Sequence, residues 1–325
     1  MTIRQFKRAR MAAVVMAAGL TLAACGGSDE QPTATGTEQK ASGPVVIDGS
    51  STVEPLSSAA GELFMGENPD ANVTVGTSGT GGGFKKFCAG ETDISNASRP
   101  ISESEKKLCA EKNISYSDLL VANDALSVVV NKDNSWASCL TVEQLKKIWA
   151  PGSTVKNWNE VDPSFPNEPL QLFGAGSDSG TFSYFTEVIN GKDGASRTDY
   201  NPTEDDNVTV QGVSATKGAL GYFGFSYLEA NADKVKAVQI NGGNGCVAPS
   251  AQAAQDGSYK PLARPLFIYA SDAGLKKPQV VKFTEFYLQK NEEIVKAAKF
   301  IPLTAEQVKK AQTALEELKK KAGGQ

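Results

Sequence analysis

The chain has 325 residues, a formal net charge of −4, 40% hydrophobic and 22% charged residues, and no histidine. At roughly 150 residues per domain the length favours two lobes over a single core, and the composition is that of an ordinary globular protein rather than a disordered one. The acidic balance runs against nucleic-acid binding, and the missing imidazole excludes every nucleophile activated by a histidine base.

Arg4, Lys7, Arg8 and Arg10 precede an apolar run from Met11 to Ala24. That run is too short to span a bilayer comfortably and predicts a signal peptide over residues 1–24. Its end, Leu22-Ala23-Ala24-Cys25-Gly26, resembles a bacterial lipobox, in which the cysteine is lipidated on its thiol and becomes the mature N-terminus. The alternative is a cleaved secretory peptide that leaves Cys25 as a spare thiol. Cleavage removes four basic residues and no acidic one, moving the charge from −4 to −8, so any anion site has to be built locally. Residues 25–43 are polar, lack aromatics and carry Gly, Pro, Ser and Thr, which predicts a flexible tether with the folded body starting at Pro44.

From there short β-branched runs alternate with helical patterns, which reads as α/β. Val45-Val46-Ile47 is a predicted strand, followed by Asp48-Gly49-Ser50-Ser51-Thr52 and a helix running roughly to Phe64, with Thr52 placed as its N-cap. The strand Val73-Thr74-Val75 leads into Gly76-Thr77-Ser78-Gly79-Thr80-Gly81-Gly82-Gly83-Phe84 and a second helix. Asp93-Ile94-Ser95-Asn96-Ala97-Ser98-Arg99-Pro100-Ile101 then puts a guanidinium in a loop of small residues, where it can grip anion oxygens with two donors. A strand over Ser127–Val130 follows. Leu170-Gln171-Leu172-Phe173 precedes Gly174-Ala175-Gly176-Ser177-Asp178-Ser179-Gly180-Thr181, which opens the helical FSYFTEVI. Capping boxes are predicted at Ser102 with Glu105, Thr141 with Gln144 and Thr304 with Gln307. In the last helix Val308, Ala311, Leu315 and Leu318 form a core-facing stripe.

Three glycine and hydroxyl loops thus follow strands and open helices. A helix start offers unpaired N–H donors and the positive end of the macrodipole, and Ser or Thr hydroxyls add donors suited to a tetrahedral oxyanion. One such loop is ordinary capping, whereas three of them could encircle one anion. Catalysis has little to rest on: Ser104 to Lys107 and Ser214 to Lys217 match S-x-x-K without the accompanying KTG element. No G-x-x-x-x-G-K-[ST] is present for a nucleotide.

Taken together, DGSST, TSGTGGGF, DISNASRPI and GSDSGTF, in this order and at this spacing, resemble the phosphate-binding receptor (PstS) of the bacterial high-affinity phosphate ABC transporter over nearly the whole mature chain. The resemblance implies two α/β lobes joined by a hinge, a Venus-flytrap fold with the ligand between the lobes and no cofactor. It implies an anion held by Ser51 and Thr52 in the first loop, Ser78 in the second, Ser98 and Arg99 in the third motif, and Ser179, Gly180 and Thr181 in the fourth. Ser50 and Arg197 are further candidates. Some family members carry an Arg where this chain has Ala175 and an Asp where it has Ser98. Arg99 is the candidate replacement for the first, and Asp48 or Asp178 for the second, as acceptor of the phosphate proton.

Residues 44–126 and 265–325 are expected to build lobe 1 and residues 127–264 lobe 2. Four cysteines remain beyond Cys25 and allow three connectivities. Cys88 with Cys109 and Cys139 with Cys246 is favoured, because each pair then stays within one lobe. The resulting expectation is a monomeric, lipid-anchored receptor on the outer side of the cell membrane, in the periplasm or cell-wall space, that passes phosphate to ABC transporter permease subunits. A broad sulfate or arsenate receptor and a surface interaction lipoprotein are the alternatives.

Overall fold

The structure, a computed structural model, describes residues 41–177 and 179–323. The signal peptide, Cys25 and its lipid, most of the tether, and Asp178 lie outside the described residues.

The strands, in chain order, are β1 (Gly43–Gly49), β2 (Ala71–Gly76), β3 (Ile94–Ala97), β4 (Tyr116–Asn131), β5 (Cys139–Thr141), β6 (Gln171–Ala175), β7 (Asn201–Thr203), β8 (Ala219–Gly224), β9 (Val235–Ala237), β10 (Gln239–Asn241), β11 (Cys246–Val247) and β12 (Ala263–Ser271). The large sheet runs β2-β1-β3-β12-β4-β8-β6-β7, with β9 also paired to β4. Within it β1 is parallel to β2 and β3, and β6 is parallel to β7 and β8. β12 and β4 run antiparallel to each other at its centre.

β4 is 16 residues long and divides its pairing. Tyr116 to Ala125 pair with β12, and Leu126 to Val130 pair with β8. The buried side chains divide at the same place. One core is built from residues 41–122 and 266–318, with Leu119 and Val121 from β4 and Leu266 and Ile268 from β12. The other is built from residues 125–262 together with Ile301, with Val128 to Val130 from the far end of β4. These are the two lobes. A smaller cluster of Phe84, Phe87, Ile101 and Tyr269 surrounds the Cys88–Cys109 disulfide. The second disulfide joins Cys139 on β5 to Cys246 on β11, across β10.

In the second lobe Trp149 meets Phe185, Tyr200 and Tyr222 edge-on, while Phe185 stacks on Tyr222 at 3.9 Å between centroids. Burying one such ring stabilises by about 1.5–3 kcal/mol. The cluster therefore fixes the helix Gly180–Phe185, and with it the loop that precedes it.

All three capping boxes are present, at Ser102, Thr141 and Thr304. In the last helix, Ala305–Ala322, Ala311, Leu315 and Leu318 are buried. Two expectations need correction. Ala41 and Gly43, assigned to the tether, are tied to the body: Ala41 is buried, its N–H donates to Asn68 Oδ1 at 2.8 Å, and the Gly43 N–H donates to the Asp70 carbonyl. Thr52 is not a helix cap. The helix Glu54–Glu67 has Val53 at that position with no side-chain cap, and the Thr52 hydroxyl accepts from Arg264 Nη2 instead.

Candidate functional site

Parallel strands deliver their carboxyl ends to one edge of a sheet, and the crevice there is where ligands of open α/β folds sit. β1, β2 and β3 end in the Gly49–Thr52 loop, the Thr77–Gly79 loop and the Ser98–Pro100 turn respectively, and β6 ends in the Gly176–Ser179 loop. The first three converge tightly. The Ser50 N–H donates to the Asn96 carbonyl at 2.9 Å, the Ser98 N–H donates to Thr80 Oγ1 at 3.2 Å, and the Ser98 and Thr80 hydroxyls share a hydrogen bond of 3.1 Å. At Gly83 a Cβ would stand 2.5 Å from Gly49 Cα, so only glycine lets the helix Thr80–Cys88 approach the first loop this closely.

The loops open on a cavity of about 590 Å³. One wall is formed by Ser50, Ser51, Thr52, Gly79, Thr80, Gly81, Ser98, Arg99 and Pro100. Ser183, Tyr184, Glu187, Val188 and Asp193, and Lys260, Pro261, Ala263, Arg264 and Pro265, complete the lining. The cavity is therefore bordered by segments of both cores and by Ala263, Arg264 and Pro265 of β12.

A family model described as a PBP superfamily domain matches residues 34–291. The phosphate-binding protein PstS of Staphylococcus saprophyticus is 38% identical over 93% of this chain and 92% of its own length. This chain belongs to the PstS family of the PBP superfamily. Protein SphX of Synechococcus elongatus is 50% identical over 80% of this chain and 78% of its own. A crystal structure of a possible phosphate binding protein from Planctomyces limnophilus, 49% identical, superposes with a TM-score of 0.83 and covers 86% of this chain and 99% of that one.

Relative to the PstS signature, the structure brings Ser50, Ser51, Thr52, Ser98 and Arg99 to the cavity wall. Ser78 is turned away from it. Its N–H donates to Asp48 Oδ1 at 3.0 Å and its hydroxyl to the same oxygen, so Gly79 and Thr80 face the cavity in its place. Asp48 also accepts from Lys86 Nζ at 2.6 Å. Partial burial raises its carboxyl, but Lys86 and the two Ser78 donors outweigh that and hold it below the usual range, which makes it a poor proton acceptor.

The Ser179–Thr181 segment adjoins the first loop rather than the open cavity. A Cβ on Gly180 would stand 3.5 Å from Thr52 Oγ1, the Ser179 hydroxyl accepts the Thr181 N–H, and Thr181 borders a smaller cavity of about 170 Å³ beyond. Arg197, a candidate cation in the sequence, is remote from the cavity wall and buried. Nε and Nη2 donate to Asp199 at 2.6 and 2.9 Å, and Nη1 donates to the carbonyls of Ile148 and Val155. All three of its nitrogens are thereby engaged around the loop after Trp149, which it holds in place.

Arg99 meets Glu105 through two parallel hydrogen bonds of 2.8 and 2.9 Å, and Glu105 also accepts from the Ser102 N–H. Partial burial raises the Glu105 carboxyl, but Arg99 and Ser102 more than reverse this and hold it at about 2. A depressed carboxyl contributes stability above its unfolded value of 4.5 and loses it as pH falls toward about 2. The melting-temperature gap between the wild type and Glu105→Gln should accordingly be full above pH 5 and shrink toward pH 2. A gap that stays constant across that range would remove the pair as its source.

Arg264, Asp124, Tyr184 and Thr80 were not singled out by the sequence. Thr80 stood inside a quoted loop. Asp124 and Arg264 carried a fainter signal, as charged residues inside the otherwise apolar runs VANDALSVVV and LARPLFIYA.

Proposed function

We propose that this chain is an extracytoplasmic solute-binding lipoprotein that captures inorganic phosphate and delivers it to the permease of an ABC transporter. The observation that carries the reading is the convergence of Ser50, Ser51, Thr52, Thr80 and Ser98 on one interlobe cavity, in a chain of the PstS family. Ser and Thr hydroxyls and loop N–H groups are the donors a tetrahedral oxyanion needs. Eight or so such bonds at about 1.5–3 kcal/mol each exceed an association cost of about 4–15 kcal/mol, so micromolar or tighter binding is reachable.

In this reading Ser51, Thr52, Ser98 and Arg99 contact the ion from lobe 1 (residues 44–126 and 265–325), and Ser179, Gly180 and Thr181 contact it from lobe 2 (residues 127–264). Phosphate bridging the two favours the closed state. In this reading the protein is a monomeric carrier that binds and releases phosphate rather than an enzyme, in keeping with relatives named as phosphate-binding proteins. The lipid on Cys25 anchors it; among the described residues no helix is long and apolar enough to cross a membrane.

The test is calorimetric titration of ligand-stripped protein with phosphate, then sulfate and arsenate, at neutral pH, with intact-mass measurement of the same full-length preparation to read the lipid on Cys25. Tight phosphate and weak sulfate binding is expected. Because Asp48 is committed to Lys86 and Ser78, equal binding of both ions would instead favour the broad oxyanion receptor, and no binding would end the transport reading.

A further inference from the structure

A cavity that encloses a phosphate ion has to offset its charge, and the three arginines among the described residues are not equivalent. Arg197 has its nitrogens committed to Asp199 and to carbonyls. Arg99 is forked onto Glu105, with 41% of its side chain exposed. Arg264 is only 9% exposed, lines the cavity, and stands on β12 directly opposite Asp124 of β4, where both strands pass between the lobes.

The guanidinium of Arg264 is held from three sides. Nε donates to Asp124 Oδ2 at 3.2 Å, Nη2 donates to Thr52 Oγ1 at 2.8 Å, and Cζ lies 3.5 Å from the centre of the Tyr184 ring. The ring is itself fixed, since the Tyr184 hydroxyl donates to the Pro261 carbonyl at 2.7 Å. Nη1 makes no hydrogen bond among the described residues.

We propose that Arg264 is the cation that engages the bound oxyanion, with Asp124 and Tyr184 as the residues that position it. The proposal rests on the phosphate reading above and names the group that offsets the charge. A guanidinium already fixed by a carboxylate and an aromatic face loses little side-chain freedom when an anion arrives, and its hydrogen bond to that anion is charge-assisted. The effect extends to Thr52. A hydroxyl has one proton to give, and because Arg264 fills a lone pair of Thr52 Oγ1, the Thr52 proton is free to point at the ligand. Burial pushes the Asp124 carboxyl up, and Arg264 only partly offsets this, which fits a site well shielded from water. Arg264 also touches a loop of one lobe through Thr52 and a helix of the other through Tyr184, so an ion bound to it is felt by both.

Removing one partner of a buried pair leaves a stranded charge and risks misfolding. The test therefore uses the double variant Arg264→Gln with Asp124→Asn, which removes one charge of each sign and leaves the net charge unchanged. Each protein is titrated with phosphate by calorimetry. Wild-type binding comes first, and its absence would fail the phosphate reading rather than this inference. Given wild-type binding, the double variant should bind roughly thirtyfold or more weakly, the loss of one or two charge-assisted hydrogen bonds, and Arg99→Ala should lose less. Binding by the double variant within threefold of the wild type, or a larger loss from Arg99→Ala, would overturn the assignment. If the double variant does not fold, Arg264→Lys keeps the charge but loses the planar fork. A drop of roughly tenfold or more in its affinity upholds the proposal, and a smaller drop rejects it.

Discussion

Replacing Gly49 with alanine is expected to lower stability by about 2–4 kcal/mol and to abolish high-affinity phosphate binding together with it. Gly49 has a φ of +146°, a backbone conformation that residues with a Cβ rarely adopt. A Cβ there would stand 2.2 Å from the Asn96 carbonyl oxygen and 2.8 Å from its nitrogen. Neither atom can retreat. Asn96 pairs with Gly49 in the β1–β3 ladder, its carbonyl accepts the Ser50 N–H, and its side chain accepts the Ser57 hydroxyl at 2.8 Å. Relief therefore has to come from the loop, which displaces Ser50 to Thr52 from the cavity wall. Calorimetric melting and titration of the same sample check both halves, and a Gly49→Ala protein that melts and binds like the wild type would contradict this account of the first loop.

Loss of the Cys139–Cys246 disulfide, by replacing both cysteines with alanine, should be the largest stability change away from the cavity. The bond joins residues 107 apart in sequence. In the chain-entropy model a loop of that length corresponds to about 4.7 kcal/mol, against roughly 3 kcal/mol for a short loop such as the one closed by Cys88 and Cys109. Scanning calorimetry of the two double-alanine proteins should rank them in that order. Phosphate affinity at 25 °C should stay near wild type without the longer-range bond, because β5, β10 and β11 contribute none of the phosphate contacts proposed above. The reverse ranking would mean that the denatured chain keeps structure across the longer loop.

The fold was legible where local chemistry and tertiary packing agree. Val45–Ile47, Val73–Val75 and Leu170–Phe173 carry β-branched or apolar runs bounded by glycine loops, and the structure builds β1, β2 and β6 over them. The capping boxes at Ser102, Thr141 and Thr304 need only residues three apart, so sequence alone suffices. Thr52 shows where that logic stops. Its position invited a cap, but an arginine 212 residues away claimed its hydroxyl. Ser78 was diverted in the same way by Asp48, and Arg197 by Asp199 and two carbonyls. For Thr52 and Ser78 the partner is distant in sequence, and for Arg197 the neighbouring Asp199 is joined by the carbonyls of Ile148 and Val155, 49 and 42 residues away, so these pairings emerge only in the folded chain. Arg264 was missed for the converse reason: it sits in a strand, away from the glycine and hydroxyl loops that advertise an anion site.

The division of the cores has a consequence for how the chain acquires its shape. The core built from residues 125–262 is nearly continuous in sequence and can collapse early, as soon as its own strands and helices exist. The other core needs residues 41–122 and residues 266–318 together, and its sheet is completed only when β12 slots between β3 and β4. Until the ribosome has released the last helix, the first eighty residues of the body have no complete partner surface. Contacts between such distant stretches form slowly, since the intervening chain must first be closed into a loop. Late closure of this kind keeps the emerging polypeptide loose for longer, which would suit the export proposed above.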